Sequence, residues 1–236
     1  MTLPAICRHA LLAALLLFAG PAFAEDEPTG ASSVEFRSEL ARAISSFNAR
    51  DFPTTLAQCD NLDRIQPDTA VVLNMRGAVA LEERRFQDGE TLCKKAIDVD
   101  PKFFPARFNL AEIPFLQKHY TEARDIYERL LAEDPKNELL QYRIFLTYLL
   151  EGNEEAADGA LKKVKFPGDT AAYYYAHAAW EFQHGKGNEA QSWINSGDWV
   201  FSKAKNAYFI DVFYDLGWVK RTTTPATAPT TELKRG

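Results

Sequence analysis

The sequence predicts an all-α solenoid of about five stacked helix-turn-helix units, closed by one further helix near the C-terminus. Three observations predict it. Pro67, Pro101 and Pro135 recur at intervals of 34 residues, and a fixed period of that size is the mark of a repeat architecture. The surroundings recur with the prolines. Phe52, Phe86 and Tyr120 each stand fifteen residues before their proline, small residues Thr55, Gly89 and Ala123 stand twelve before it, and Leu62, Ala96 and Leu130 stand five before it. Within the units, apolar residues follow the helical period. Phe36, Leu40, Ala43, Ile44 and Phe47 form one stripe, and Leu140, Ile144, Phe145 and Tyr148 form another. No stretch alternates long enough to argue for a strand.

Taken in order, the units start at Phe36, Ala70, Phe104, Glu138 and Ala171. Their first helices carry Ala43, Gly77, Ala111, Phe145 and Ala178 at one repeat place. Their second helices carry Thr55, Gly89, Ala123, Ala157 and Ala190 at another, where two helices must approach closely. Asp100-Pro101 and Asp134-Pro135 end helices, because the residue before proline is driven out of the α region. Pro114 lies inside the first helix of the third unit, where it removes a backbone hydrogen bond. It reads either as a kink near the helix end or as a widening of the face that helix lines. A two-helix unit cannot cover its own apolar face, so stability comes from stacking, and the last unit needs a cap. Asn206 to Gly217 supplies one: an N-cap, Phe209, Ile210, Phe213 and Leu216 facing inward, and a terminal glycine.

The flanks read differently. Arg8 and His9 precede about ten apolar residues, Gly20-Pro21 follows, and Ala22-Phe23-Ala24 offers small residues for cleavage after Ala24. This is the pattern of a signal peptide over 1–24, too short to span a bilayer, which needs ~20 apolar residues. The expected location is periplasmic or secreted. Residues 25–33 read as a disordered linker, 34–219 as the solenoid with its capping helix, and 220–236 as a disordered tail rich in threonine and proline.

A 34-residue helix–turn–helix unit with small residues at two places, an aromatic at the turn and a closing proline resembles the tetratricopeptide repeat. The third unit fits best, through Asn109-Leu110-Ala111, Tyr120, Ala123, Tyr127 and Pro135. Phe145 is large where the family has a small residue, Glu39 and Arg42 are polar where it is apolar, and the fourth and fifth units lack the closing proline. The resemblance implies a right-handed superhelix whose first helices line a concave groove that takes a peptide or helix from a protein partner. The groove residues it implies are Asn74, Phe108, Asn109, Glu112, Phe115, Tyr142, Arg143, Leu146, Tyr175 and Phe182. Phe108, Tyr142 and Tyr175 share one repeat place and form an aromatic ladder, with Arg143 beside it. The Lys and Asn set by which some members grip a C-terminal carboxylate is missing, since Asn74 and Ala78 occupy its places in the second unit.

Signals for chemistry are sparse. No nucleophile elbow, His-Glu-x-x-His pair, dinucleotide fingerprint or phosphate-cradling loop occurs. His177 and His184 share a helix face, but a metal site needs more ligands than they supply. The expectation is therefore no enzyme, no catalytic residue, no metal and no cofactor. The net charge of −6 argues against nucleic acid as partner. Cys59 and Cys93 stand 34 residues apart on successive units, about one helix spacing of ~8–10 Å, wider than the ~4.4–6.8 Å of a disulfide. They read as buried free thiols. The function this supports is a binding module. The alternative is a self-associating envelope protein with the tail as spacer, and the oligomeric state stays open.

Overall fold

The computed structural model describes residues 31–220, and it is all α. The helices are α1 Ala31–Asn48, α2 Phe52–Ile65, α3 Ala70–Glu82, α4 Phe86–Val99, α5 Phe104–Leu116, α6 Tyr120–Glu133, α7 Glu138–Glu151, α8 Glu154–Leu161, α9 Ala172–Gln183, α10 Gly187–Val200 and α11 Lys203–Asp215. They form five antiparallel pairs, α1/α2 to α9/α10, stacked in chain order and followed by α11. Three of the expected unit starts coincide with the first residues of α3, α5 and α7; α9 starts one residue later and α1 five earlier. Ala31 to Ser33 are therefore helix, not linker. The signal peptide over 1–24, residues 25–30 and the tail from 221 lie outside the described residues.

Each pair turns in the same way. Arg50, Arg84, Lys118, Gly152 and Gly185, one per unit, have φ between +61° and +77°. A left-handed residue there lets the backbone reverse and supplies N–H groups to the last carbonyls of the first helix. Two residues on, Phe52, Phe86 and Tyr120 open the second helices and are half-buried against the stack. The small places do what close approach requires. A Cβ on Gly89 would stand 2.4 Å from the buried Leu81, and one on Gly77 would stand 3.1 Å from Cys93 Sγ.

The fourth unit lacks the closing proline and ends differently. α8 is eight residues long, and the loop to α9 is held by the Glu138 carboxylate. Asp169 and Thr170 donate their backbone N–H groups to it at 2.8 and 2.9 Å. Cys59 and Cys93 are fully buried and unbridged, and burial pushes both thiols up to about 12. With the thiolate suppressed and the sulfur inaccessible, neither can react in the folded state. A chain starting at residue 25 should leave a thiol reagent unconsumed when native and titrate as two thiols when denatured without reductant. A denatured sample without free thiols would mean that the pair is bridged.

Candidate concave binding face

The first helices of successive units, α3, α5, α7 and α9, form the inner face of the stack. α11 lies on this face and not beyond the end of it. Its connection to α10 is short: Phe201 and Ser202 are extended, and the Ser202 hydroxyl accepts the Lys205 N–H as the N-cap. This corrects the expected N-cap. Asn206 is instead buried inside the helix and donates to Asp198 Oδ1 at 2.7 Å. From there α11 crosses α9 and α7 and ends at the turn between α3 and α4. Tyr175 meets Phe209 and Phe213 at ring separations of 5.9 and 5.8 Å. Tyr142 packs edge-on to Phe209 at 5.3 Å, and its hydroxyl donates to the Phe209 carbonyl at 2.9 Å. Arg84 Nη2 reaches Asp215 Oδ1 at 3.2 Å. Phe182 lies against Phe213 and stacks on Trp218, both at 5.4 Å. Gly217, with φ +71°, lets the chain reverse after α11 and carry Trp218 back onto these rings.

This arrangement corrects the expected open groove. Of the ten residues placed there, nine are buried and Phe182 is half-buried. The ladder of Phe108, Tyr142 and Tyr175 is core. Phe108 packs on Tyr127 at 5.7 Å, Tyr175 donates its hydroxyl to Asp198 at 3.0 Å, and all three are inaccessible to solvent. Phe115 packs edge-on against Tyr120 and Tyr127, and Leu146 is fully enclosed. For Tyr142, Tyr175 and Phe182 the reason lies in α11 itself. Tyr208, Phe209, Val212 and Phe213 are all buried and cover a wide arc of the helix. A helix that is apolar over such an arc is stable only when other elements surround it, and the concave face offers that enclosure where an end cap would not.

Charge is buried on the same face. Glu112 of α5 is inaccessible and accepts a hydrogen bond from the Tyr127 hydroxyl. Arg143 of α7, 4 % exposed, places Nε 3.1 Å from Glu112 Oε1 and its guanidinium within 6 Å of the Phe108, Phe115 and Tyr142 rings. Burial pushes the Glu112 carboxyl up, against the pull of Arg143 and Tyr127. Arg143 stays firmly charged: burial opposes the charge, but Glu112 and the neighbouring Tyr127, Tyr142 and Asp211 outweigh it. Asn109 Nδ2 donates to Asn74 Oδ1 at 2.9 Å, with both side chains buried. The sequence places this polar row but not the Tyr127 hydroxyl that meets Glu112, nor the Asp198–Asn206 pair that meets Tyr175.

Among the described residues no group of His, Cys, Asp and Glu is arranged to hold a metal ion. His177 stacks on Trp193 at 4.6 Å, and His184 contacts Glu154 and the Trp180 carbonyl. Among the described residues no helix is long and apolar enough to cross a membrane.

Comparison with known proteins agrees with the repeat geometry. Residues 80–142 match the tetratricopeptide repeat family model. An uncharacterized protein of Cyanophora paradoxa, ycf37, is 34 % identical over 84 residues, or 36 % of this chain and 48 % of that protein. The chain thus spans about half the length of this curated relative. The crystal structure of a tetratricopeptide repeat protein from Parabacteroides merdae covers 80 % of this chain, and the match takes in 72 % of that one, with a TM-score of 0.60 and 17 % identity, a likeness of fold. With the period, the turn geometry and these matches in agreement, the described residues have the fold of a tetratricopeptide-repeat solenoid.

Proposed function

We propose that the chain is a non-catalytic protein-interaction module, periplasmic or secreted, that takes a helix or peptide of a protein partner on its concave face. Tetratricopeptide repeats generally mediate protein–protein interaction. The observation that carries the finer reading is α11, an amphipathic helix lodged on that face with its rings against Tyr142 and Tyr175. Helix-in-groove recognition uses the same geometry, with bulky side chains one turn apart as anchors. The location rests on the N-terminal pattern ending at Ala24.

The test is affinity capture with a chain starting at residue 25, from an envelope extract, paired with light scattering of the bait alone. A monomeric bait that retains a partner, with the partner lost when the concave face is altered at Phe182, supports the module. A bait that associates with itself as concentration rises and captures nothing overturns it in favour of a self-assembling structural protein.

A further inference from the structure

The edge of the stack where α9 begins and α10 ends differs from the rest of the surface. Among the described residues the exposed aromatic rings are Phe166, at 62 %, and Trp199, at 89 %, and both stand on this edge. Phe166 lies against Tyr173 and Tyr174 at 5.3 and 6.2 Å, and Tyr174 in turn meets Phe201 at 6.4 Å. A Cβ on Gly197 would stand 3.2 Å from Tyr174 Cβ, so the end of α10 closes on the same ring. Trp199 and Val200 belong to that end, and Val200 is 47 % exposed. By helical spacing Trp199 projects away from the side of α10 that buries Ile194 and Gly197. Val200 is two turns on from Trp193 and on the same side, which faces Tyr173 at 5.8 Å. Phe166, Val200 and Trp199 thus border one another around Tyr174, and an exposed apolar group of this kind marks a contact surface.

The same edge is basic. Lys163 and Lys165 precede Phe166, Lys203 and Lys205 follow Trp199 in the first turn of α11, and all four are exposed. None of the four has an ion-pair partner among the described residues, whereas Lys162 is held by Asp158. Cations in the first turn of a helix oppose its dipole, so Lys203 and Lys205 do not serve the stability of α11. The loops at the corresponding place after α2, α4 and α6 carry Asp68, Asp100 with Lys102, and Asp134 with Lys136, and none is net positive. Asp169 is the acidic residue of the fourth loop, and the Glu138 carboxylate nearby is turned onto the loop's amides. A positive edge therefore stands on a chain whose net charge is −6.

We propose that this edge docks on an anionic lipid bilayer, with Phe166, Val200 and Trp199 entering the headgroup region and the four lysines meeting its phosphates. Tryptophan is enriched at the membrane–water boundary, and one lysine near an anionic surface strengthens attachment about fivefold. Interfaces between proteins are also rich in aromatic rings but are poor in lysine. A second copy set edge to edge would bring like charges together, which opposes association. The attachment is peripheral and goes beyond the reading of the concave face. The edge lies at the opposite end of α9 from Phe182 and Trp218 and does not use the rings of the inner face.

The test is co-sedimentation of the chain from residue 25 with vesicles of phosphatidylcholine alone and of phosphatidylcholine mixed with phosphatidylglycerol. Four forms are compared: the natural sequence, Trp199→Ala, the double variant Lys163→Gln with Lys165→Gln, and Lys118→Gln at the opposite edge as control. Each change falls on an exposed side chain, so the melting temperatures should agree. The natural chain should bind the anionic vesicles at least tenfold more tightly than the neutral ones, and added salt should weaken that binding. Trp199→Ala should lose at least fivefold, the double lysine variant at least tenfold, and Lys118→Gln nothing. Tryptophan emission should shift to shorter wavelength on binding, and Trp199→Ala should lack that shift. No binding to anionic vesicles, equal binding to both kinds, or binding undiminished in Trp199→Ala overturns the proposal. Association of the chain with itself that disappears in Trp199→Ala, without attachment to vesicles, overturns it in favour of a contact between copies. The result is independent of partner capture on the concave face, so either reading can fail while the other stands.

Discussion

Removal of residues 205–218 should lower the melting temperature by at least 10 °C and make the chain associate at micromolar concentration, while removal of residues 221–236 should change neither property. The first truncation strips the cover from Tyr142, Tyr175 and Phe182 and takes away the buried Phe209, Val212 and Phe213. Full burial of one such side chain stabilises by about 1.5–3 kcal/mol, so several together rival the net stability of a domain, about 5–15 kcal/mol. Helical content should largely survive, because a stack of repeats is held by nearest-neighbour interfaces and the first units touch α11 little. Calorimetry and light scattering on the two truncations read both effects. If both behave like the full chain, α11 is not part of the fold's inner face.

Arg143→Met should destabilise by about 3–5 kcal/mol, because it leaves the Glu112 carboxylate buried without its counter-charge. Replacing both, with Glu112→Gln added, should recover a large part of that loss, since a buried pair costs much of what it returns. The pH dependence has a definite sign. Burial already raises the Glu112 carboxyl, and without Arg143 it rises further. A group whose folded value is raised adds stability below its unfolded value and loses it as pH climbs through the folded one. The deficit of Arg143→Met should therefore be largest at neutral pH and shrink on acidification. Denaturant melts at two pH values, on the single and double variants, measure it; a deficit independent of pH would place the damage in packing and not in charge.

Much of the fold is legible in the sequence because repeats report themselves through spacing. The prolines at 67, 101 and 135, the turn aromatics and the small places locate α3 to α7 almost to the residue. What was harder to read is where α11 goes. Its N-cap is Ser202, four residues before the Asn206 that the apolar run suggests, and its destination depends on two residues, Phe201 and Ser202, whose extended backbone leads the chain back inward. The period puts Phe108, Tyr142 and Tyr175 at one repeat place, but says nothing of their exposure, and all three are buried. Whether an inner face is open or filled depends on a distant segment, and period alone carries no information on that. The turn aromatics Phe52, Phe86 and Tyr120 are half-buried and less enclosed than the ladder itself. Glu112 shows the same limit. Its neighbours on its own helix are visible in the sequence, but the Tyr127 hydroxyl and the Arg143 guanidinium that hold it come from α6 and α7.

The central claim is that α11 occupies the concave face, and the most direct measurement is through-space NMR between selectively labelled tyrosine and phenylalanine rings. With ring separations of 5.3 Å for Tyr142 and Phe209 and 5.8 Å for Tyr175 and Phe213, cross-peaks are expected for both pairs. Cross-peaks from Phe213 to Tyr175, with none from Phe209 to Tyr142, would place α11 against the last repeat alone, as an end cap over an open groove.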